Sequence, residues 1–406
     1  MEQAGDKTYR RHQAVWRVFY PLLHGWICRR FRLEHEDLQA EGPVLLISNH
    51  VTNWDPLLVS MSLRNKQVYF VASEHIFRLG WVSRLLNWLL GPIPRSKGAG
   101  GGDAAWTCTR KLRAGQSICL FAEGECTWDG RSGQVFPATG KLVKLSKATL
   151  VTYRLEGGYF TLPRWAGKRR PGRMYGHPVG VYPPERLKTM TPEEIDALIN
   201  RDIYEDAWER QREQPVAYCA KAPAQGLERA MYLCPACGRI GGLGTKGNRI
   251  SCGCGFSLTY TAQGGFSPET PFRTIPDWDG FQREKLLAMD FPPEDPETGL
   301  LFSDEGLTLS RIEPGHREYR LSKGTLRQYR DRLECAGKSF LLDRIREIAM
   351  VKANRLLFTY DADYYQIRSK GTVNLRKYLE LCKGAEALEN QWGGKRWTIQ
   401  ARNCGM

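Results

Sequence analysis

A histidine and an aspartate five residues apart are the side chains best suited to chemistry in this sequence. His50 follows the apolar run 44–47, and Asp55 stands directly before Pro56. On an unbroken helix, residues five apart point about 140° away from each other, so these two side chains can meet only across a turn. Proline favours the first helical position and disfavours helical backbone in the residue before it. We therefore expect Asp55 to cap a helix and His50 to lie on the preceding loop.

Across such a turn, the Asp55 carboxylate can accept the proton of one imidazole nitrogen. The other nitrogen of His50 is then free to act as a base toward an alcohol. The alternative is that Asp55 only caps the helix and that His50 only packs or bonds locally.

Two blocks farther along the chain supply side chains that suit a phosphorylated acceptor. The first block, residues 91–95, ends in Arg95, whose planar guanidinium fits phosphate oxygens. The second block, residues 121–124, contains Glu123 and Gly124. A carboxylate repels phosphate, so we expect Glu123 to position an arginine or backbone donors.

In this order and with these gaps, the blocks resemble the motifs of the glycerolipid acyltransferase superfamily. They read Asn49-His50 through Asp55, Gly91-Pro92-Ile93-Pro94-Arg95, and Phe121-Ala122-Glu123-Gly124. The resemblance covers about residues 15–212 and looks most like bacterial 1-acylglycerol-3-phosphate acyltransferases. It implies an α/β domain that transfers a fatty acyl group from acyl-CoA or acyl-carrier protein to lysophosphatidic acid, giving phosphatidic acid without a redox cofactor.

The resemblance also implies a role for each matched residue. His50 would be the general base and Asp55 its orienting partner. The acceptor site would be formed by Asn49, Arg95, Glu123 and Gly124.

The chain departs from the superfamily pattern after Gly124. Where the family has Thr-Arg-Ser or Asn-Arg-Ser, this chain has Glu125-Cys126-Thr127. An acid and a thiol therefore replace a phosphate-binding cation, and either Arg131 or Lys141 is a candidate to supply the missing charge. Two alternatives are a different lysolipid or alcohol acceptor and a weak enzyme. Cys126 is not expected to be a nucleophile, because the sequence shows neither a histidine partner nor a cause for a lowered pKa.

Four of the twelve cysteines cluster within 21 residues, which indicates a metal site rather than a disulfide scaffold. They form a Cys-x2-Cys pair and a Cys-x-Cys pair separated by a glycine-rich stretch, a pattern typical of zinc ribbons. Four thiolates leave no open coordination position, so the expected Zn²⁺ is structural. The predicted ligands are Cys234, Cys237, Cys252 and Cys254.

Length and patterning predict several domains in the 406-residue chain. Residues 1–218 alternate strands and helices, which predicts a central, mostly parallel sheet flanked by helices, preceded by an N-terminal interfacial helix. Residues 228–262 are expected to form the zinc ribbon, and 263–299 a linker rich in proline, glycine and acids. Short strands followed by a helix in 300–388 resemble a pleckstrin-homology or GRAM-like barrel, and 389–406 would be a tail.

The charge of the chain points to an anionic partner. The net charge is +15, and residues 51–190 hold 21 lysines and arginines against 8 acids. Arginines beside aromatic residues and leucines, as in 15–26 and 77–88, suit helices that lie in the headgroup layer of an anionic membrane. No apolar run is long enough to span a bilayer and no signal peptide is evident. We therefore expect a cytoplasmic enzyme on the inner membrane face.

Two rival functions come from other classes. The zinc ribbon and the positive charge are compatible with a nucleic-acid-binding protein, but the ribbon itself carries few cations, so nucleic acid is the weaker expectation. The altered block at 125–127 is compatible with a lipid-binding scaffold that performs no catalysis. Turnover of acyl-CoA distinguishes the enzyme from both rivals.

Overall fold

The computed structural model describes residues 2–73, 77, 80–95, 102–313 and 317–392. Within these ranges the chain forms a mixed α/β sheet, a small antiparallel sheet and a larger antiparallel sheet, in that order. The mixed α/β architecture expected for the first half is confirmed.

The first sheet is mostly parallel. Its strands are β1 (Leu33–His35), β2 (Val44–Ser48), β3 (Val68–Ser73), β4 (Ile93–Arg95), β5 (Ser117–Leu120), β6 (Thr149–Glu156) and β7 (Met174–Tyr182). They lie in the order β1-β7-β6-β2-β5-β3-β4, and among these strands only β6 and β7 pair antiparallel. Every residue of β2 is buried, as its uninterrupted apolar run requires for a central strand covered on both faces.

Helices cover the two faces of this sheet. They are α1 (Glu2–Phe31), α2 (Asp55–Ser60), α3 (Trp81–Leu90), α4 (Gly102–Arg113), α5 (Thr139–Ser146), α6 (Gly158–Thr161), α7 (Pro184–Lys188), α8 (Pro192–Ile203) and α9 (Ala207–Glu213). Thr191 caps α8 in a reciprocal capping box with Glu194, as the Thr-Pro-Glu-Glu sequence predicts.

The long helix α1 packs one face on the domain and leaves the other exposed. The indole of Trp16 donates to the carbonyl of Leu63 at 2.9 Å, and the hydroxyl of Tyr20 donates to that of Met61 at 2.8 Å. Several large apolar side chains of α1 and α3 remain exposed: Val18, Phe19, Leu22, Trp26, Trp81, Leu85 and Trp88. No helix in the described ranges is both long and apolar enough to cross a membrane. Residues 78 and 79 of the expected second interfacial segment lie outside those ranges.

The small sheet carries the cysteine cluster and packs on the first domain. Its strands are β8 (Leu243–Lys246), β9 (Arg249–Cys252), β10 (Ser257–Tyr260) and β11 (Phe266–Ser267). The buried ring of Tyr260 meets that of Trp165 edge to face, with centroids 5.8 Å apart.

The segment 263–299 is more ordered than the expected linker. It contains α10 (Ile275–Leu287), which begins with a capping box between Thr274 and Asp277. Trp278 of this helix is fully buried and donates to the carbonyl of Leu233 at 3.0 Å. The prediction of a linker over 263–299 is therefore corrected. Its polar, proline-rich composition indicated a linker, but the segment contains a helix that packs through the buried Trp278.

The third sheet is antiparallel and is followed by a helix. Its strands are β12 (Phe302–Glu313), β13 (Arg317–Gln328), β14 (Arg332–Cys335), β15 (Lys338–Leu341), β16 (Ile345–Val351), β17 (Arg355–Tyr360) and β18 (Asp363–Arg368). The strand order is β15-β14-β13-β12-β18-β17-β16, and α11 (Arg376–Trp392) follows. The resemblance to a pleckstrin-homology or GRAM-like barrel stays a prediction. Of the expected tail, residues 393–406 lie outside the described ranges.

Buried arginines connect the three parts of the chain. The guanidinium of Arg164 donates to the carbonyls of Met350 and Lys352 in and after β16, each at 2.9 Å. Arg376 at the start of α11 forms a two-pronged ion pair with Asp279 of α10, at 2.6 and 2.8 Å. The third sheet therefore lies against the loop that follows α6 of the first domain.

Candidate active site

The loop between β2 and α2 brings His50 and Asp55 into contact. Nδ1 of His50 lies 2.7 Å from Oδ2 of Asp55, whose side chain is fully buried. The imidazole keeps 20% of its surface exposed. The expected meeting across a turn is present, with one shift: Trp54 occupies the cap position and Asp55 is the first residue of α2.

The Asp55 carboxylate organises the whole turn because every group around it is a donor. It accepts the backbone N–H of Val51 at 2.6 Å and that of Thr52 at 3.0 Å. It also accepts the hydroxyl of Thr52 at 2.8 Å. A buried carboxylate with this many donors is held in one orientation, and it favours the proton of His50 on Nδ1. Nε2 is then the nitrogen whose lone pair can accept a proton.

Cys126 also contacts His50, which the sequence did not predict. Its Sγ lies 3.4 Å from Nε2 and 3.6 Å from Nδ1. Phe121 stacks on the same imidazole, with centroids 4.6 Å apart and planes inclined by 24°. The only available signal was that Cys126 lies two residues after the motif that ends at Gly124, next to residues expected near the acceptor.

The surroundings of His50 raise its pKa. Burial works against the imidazolium, but the Cys126 sulfur and the hydrogen bond to Asp55 outweigh it and raise the pKa to about 10. At neutral pH the His50 ring is therefore mostly the imidazolium. The neutral imidazole, which can accept a proton, becomes more abundant as the pH rises.

Glu123 joins two loops by accepting backbone N–H groups. Its carboxylate accepts the N–H of His50 at 2.7 Å and that of Gly133 at 2.5 Å. Burial raises the pKa of Glu123 to about 7 although both hydrogen bonds oppose the shift. The expected positioning of backbone donors is what the side chain does here.

Asn49 has a different place from the one expected. It is 1% exposed, its amide N–H donates to the carbonyl of Leu155 at 2.9 Å, and its amide oxygen accepts the N–H of Leu155 at 2.8 Å. The amide also donates to Glu205 at 3.4 Å and accepts the hydroxyl of Ser48 at 3.3 Å, so Asn49 has no group left for a substrate. The prediction that Asn49 binds the acceptor is corrected: it fixes the end of β2 against β6.

Arg95 and Gly124 meet at the ring of Phe136. The Arg95 guanidinium lies 4.3 Å from the ring centroid, and the ring leaves no room for a side chain at Gly124, where a Cβ would approach it to 2.4 Å. Gly124 also has a φ of +77°, which favours glycine. Glycine at position 124 therefore lets the turn pass close to the Phe136 ring. Arg95, on the same ring, lines the cavity described next.

A cavity of about 490 Å³ opens beside these residues and extends to the C-terminal region. Its wall includes Arg95 and Cys126 from the first domain, and Glu347 and Lys383 from the third sheet and α11. Arg131 also lines it, but Nε of Arg131 donates to Asp206 at 2.9 Å, so its charge is already paired. Glu125 is held by Arg164 at 2.8 Å.

The four clustered cysteines converge as a tetrahedral metal site requires. Sγ of Cys234 lies 3.7 Å from that of Cys254, and Sγ of Cys237 lies 3.8 Å from that of Cys252. Four sulfurs about 2.3 Å from a zinc ion would be about 3.8 Å apart. The donor set and its spacing therefore fit Zn²⁺.

Comparison with known proteins follows the same motifs. A family model described as Acyltransferase matches residues 30–156. Over this segment, about a third of its length, the chain is similar to acyltransferases. The expected resemblance to glycerolipid acyltransferases is thereby confirmed for this acyltransferase domain, which contains His50, Asp55, Arg95 and Glu123.

Two individual relatives are similar to the acyltransferase domain and its surroundings. A 1-acyl-sn-glycerol-3-phosphate acyltransferase of Streptococcus pneumoniae is 24% identical over 163 residues, which are 39% of this chain and 56% of that protein. The chain thus spans about half the length of this curated relative. The crystal structure of the 1-acyl-sn-glycerophosphate acyltransferase PlsC from Thermotoga maritima is 14% identical with a TM-score of 0.39, covering 52% of this chain and 89% of that one.

Proposed function

We propose that this protein transfers a fatty acyl group from acyl-CoA or acyl-carrier protein to the free hydroxyl of lysophosphatidic acid. The observation that carries the proposal is the 2.7 Å contact between His50 and the fully buried Asp55 within an acyltransferase-family domain. A partly exposed imidazole held by a buried carboxylate is the arrangement that a general base for an alcohol needs.

The proposed reaction has one base and no covalent enzyme intermediate. Nε2 of His50 takes the proton of the acceptor hydroxyl while the oxygen attacks the thioester carbonyl. The tetrahedral intermediate then collapses, the C–S bond breaks, and the leaving thiolate takes the proton back from the imidazolium. Asp55 keeps the ring oriented and stabilises its charged form through both steps.

The proposed acceptor site is the cavity lined by Arg95. Its guanidinium is aimed from β4 and is the cation best placed to meet a phosphate, since Arg131 is paired with Asp206. Glu125 lines the same cavity where the superfamily has a neutral residue. This acid favours a second candidate, an acyltransferase for a different lysolipid or alcohol, which the product assay below separates from the first.

The exposed apolar face of α1 and α3 supports a place on the membrane surface. Five large apolar side chains of these two helices are each at least half exposed: Val18, Leu22 and Trp26 on α1, and Trp81 and Trp88 on α3. Trp16 and Tyr20, also on α1, are buried. Aromatic and aliphatic side chains beside arginines suit the boundary between headgroups and acyl chains. The proposed location is the inner face of an anionic cytoplasmic membrane.

The proposed domain organisation keeps the four-cysteine site and the C-terminal module as supports of the acyltransferase domain. A structural Zn²⁺ held by the four cysteines would stabilise the small sheet and supply no chemistry. The pleckstrin-homology or GRAM-like assignment of the third sheet is part of this proposal.

The test is identification of the product. Purified protein is incubated with labelled palmitoyl-CoA and one lysolipid at a time in mixed micelles. The lysolipids are lysophosphatidic acid, lysophosphatidylethanolamine, lysophosphatidylglycerol and lysophosphatidylcholine. The labelled products are identified by mass spectrometry. Label in phosphatidic acid alone supports the main proposal, and label in another phospholipid supports the second candidate. The assay is repeated with acylated acyl-carrier protein as the donor. Absence of any labelled lipid with both donors would contradict both candidates.

A further inference from the structure

A second group of metal-binding side chains lies where the C-terminal half of α1 meets β1. His24 and Cys28 are one helical turn apart on α1, and His35 is the last residue of β1. One donor atom from each lies within 4.8 Å of those of the other two. We infer that these three side chains bind a Zn²⁺ ion at a site separate from the four-cysteine cluster and independent of the acyl-transfer proposal.

The two imidazoles present their ring nitrogens to each other. Nε2 of His24 lies 2.8 Å from Nε2 of His35, and the ring planes are inclined by 83°. In a tetrahedral zinc site with Zn–N distances near 2.0–2.1 Å, such nitrogens would be about 3.3 Å apart. The rings therefore need to separate by only about half an ångström to admit the ion, which rotation of either side chain provides.

The environment of His35 is that of a metal-binding histidine. Its Nδ1 is buried, forms no hydrogen bond to any described residue, and lies 3.6 Å from the carboxylate of Asp37. Metal-bound histidines usually direct their second ring nitrogen toward a carboxylate or carbonyl, which holds the proton there and leaves the other nitrogen free for the metal. Asp37 would do this for His35 after an approach of about half an ångström, since 3.6 Å is just beyond hydrogen-bonding distance.

The donor set selects the ion. Two imidazole nitrogens and one thiolate suit Zn²⁺, whereas Mg²⁺ and Ca²⁺ prefer oxygen ligands. All three side chains are partly exposed, so water can occupy a fourth position. The competing explanation is a simple N–H···N hydrogen bond between the imidazoles, which accounts for the 2.8 Å distance without any metal and gives the nearby thiol no role.

The site would tie the membrane-facing helix to the sheet. α1 is fixed to the domain nearer its middle by Trp16 and Tyr20, and β1 pairs with β7 at the sheet edge. An ion bound to His24, Cys28 and His35 would add a link between these two elements, next to the exposed Trp26. Its role would be structural, holding the apolar face of α1 in a fixed direction.

The experiment measures zinc content in the full-length protein, purified with zinc and freed of loose metal by gel filtration. The parent protein is expected to hold two zinc ions per chain. Cys28→Ser is expected to hold one, and the matched control Cys219→Ser, an exposed cysteine outside both clusters, is expected to hold two. Because the four-cysteine site is intact in these variants, equal zinc content in Cys28→Ser and the parent overturns the proposal.

A cobalt experiment gives a second, independent result. In a Cys237→Ser, Cys252→Ser double variant, one equivalent of Co²⁺ is expected to bind with the absorption of a tetrahedral site and the weak charge-transfer band of a single thiolate. Adding His35→Gln should abolish that spectrum. If the double variant does not fold, Co²⁺ titration of the parent protein replaces it, with two spectrally distinct equivalents expected. Absence of a single-thiolate cobalt spectrum from the protein used overturns the assignment.

Discussion

The sulfur of Cys126 lies beside the imidazole of His50, 3.4 Å from Nε2 and 3.6 Å from Nδ1. The sulfur is therefore within hydrogen-bonding distance of both ring nitrogens. Phe121 stacks on the ring as well, so the imidazole is enclosed between an aromatic ring and a thiol. The thiol is therefore placed to alter the protonation of the base.

The first prediction concerns pH. A protonated imidazole cannot accept the acceptor's proton, and the pKa of His50 is raised to about 10. We therefore expect kcat/KM of the parent protein to increase with pH from 7 toward 10, close to tenfold per unit at the lower end, instead of levelling off near 6.5. Steady-state kinetics over this range with a saturating acyl donor measure the profile.

The matched variants for this profile differ only in which cysteine is removed. Cys126→Ala takes away the sulfur that favours the imidazolium, so the rise in kcat/KM should shift to lower pH. Cys108→Ala, at a buried position on α4, should leave the profile where it is. Identical profiles for the parent and Cys126→Ala would show that the sulfur does not influence His50.

The second prediction concerns Asp55. Asparagine would place an N–H₂ group where the N–H groups of Val51 and Thr52 and the Thr52 hydroxyl all donate. The turn would lose hydrogen bonds to a buried charge. His50 would also lose its orienting partner. We expect Asp55→Asn to lower turnover by about 100-fold or more and the free energy of unfolding by about 1–3 kcal/mol. Turnover assays and urea denaturation measure the two effects.

Thr52→Val is the control for Asp55→Asn. It removes the hydroxyl that donates to Asp55 but leaves the contact between Asp55 and His50 in place. Its unfolding free energy should fall by about 1 kcal/mol while turnover stays within a few-fold of the parent. A comparable loss of turnover in both variants would mean that stability of the turn, and not the orientation of His50, limits the reaction.

The third prediction separates Arg95 from Arg131. Removal of a charge-assisted contact to phosphate costs about 1.5–3 kcal/mol, so Arg95→Ala should raise the acceptor KM by roughly 10- to 100-fold and change the donor KM little. Arg131→Ala should have a smaller effect because that guanidinium is paired with Asp206. An acceptor KM that responds to Arg131 and not to Arg95 would reverse the two assignments.

The fourth prediction concerns the four-cysteine site. Binding of a structural zinc contributes to folding, and the small sheet packs through Tyr260 on Trp165 of the acyltransferase domain. Loss of several kcal/mol in a chain of this size lowers the melting temperature by roughly 5 °C. Cys252→Ser should show such a decrease together with loss of one zinc ion, whereas Cys219→Ser should show neither. If the parent protein keeps the same melting temperature after its metal is removed, the four-cysteine zinc site is refuted.

Local patterns allowed much of this site to be predicted. The buried run of β2, the Pro56 that follows Asp55, and the glycine at 124 each have a direct physical consequence at their own position. The contact between His50 and Asp55 follows from them because it spans only one turn. The four cysteines are equally local, since they lie on neighbouring hairpins.

Contacts between distant parts of the chain could not be predicted in the same way. Arg131 finds Asp206, 75 residues later, and Arg164 binds carbonyls of the third sheet. The inward orientation of Asn49 depends on the position of β6, which its own motif does not encode. The helix that begins after Thr274 was predictable, because Thr-x-x-Asp with a proline at the second helical position is a helix start, but its polar composition indicated a linker.

The measurement that tests the central claim most directly is acyl transfer by His50→Ala beside the parent protein. Both are assayed with labelled palmitoyl-CoA and the best acceptor of the lysolipid panel, after thermal unfolding has shown that their stabilities agree within about 1–2 kcal/mol. We predict that the parent forms labelled phospholipid and that the variant is at least about 100-fold slower. Equal rates in the two proteins would contradict the assignment of His50 as the base.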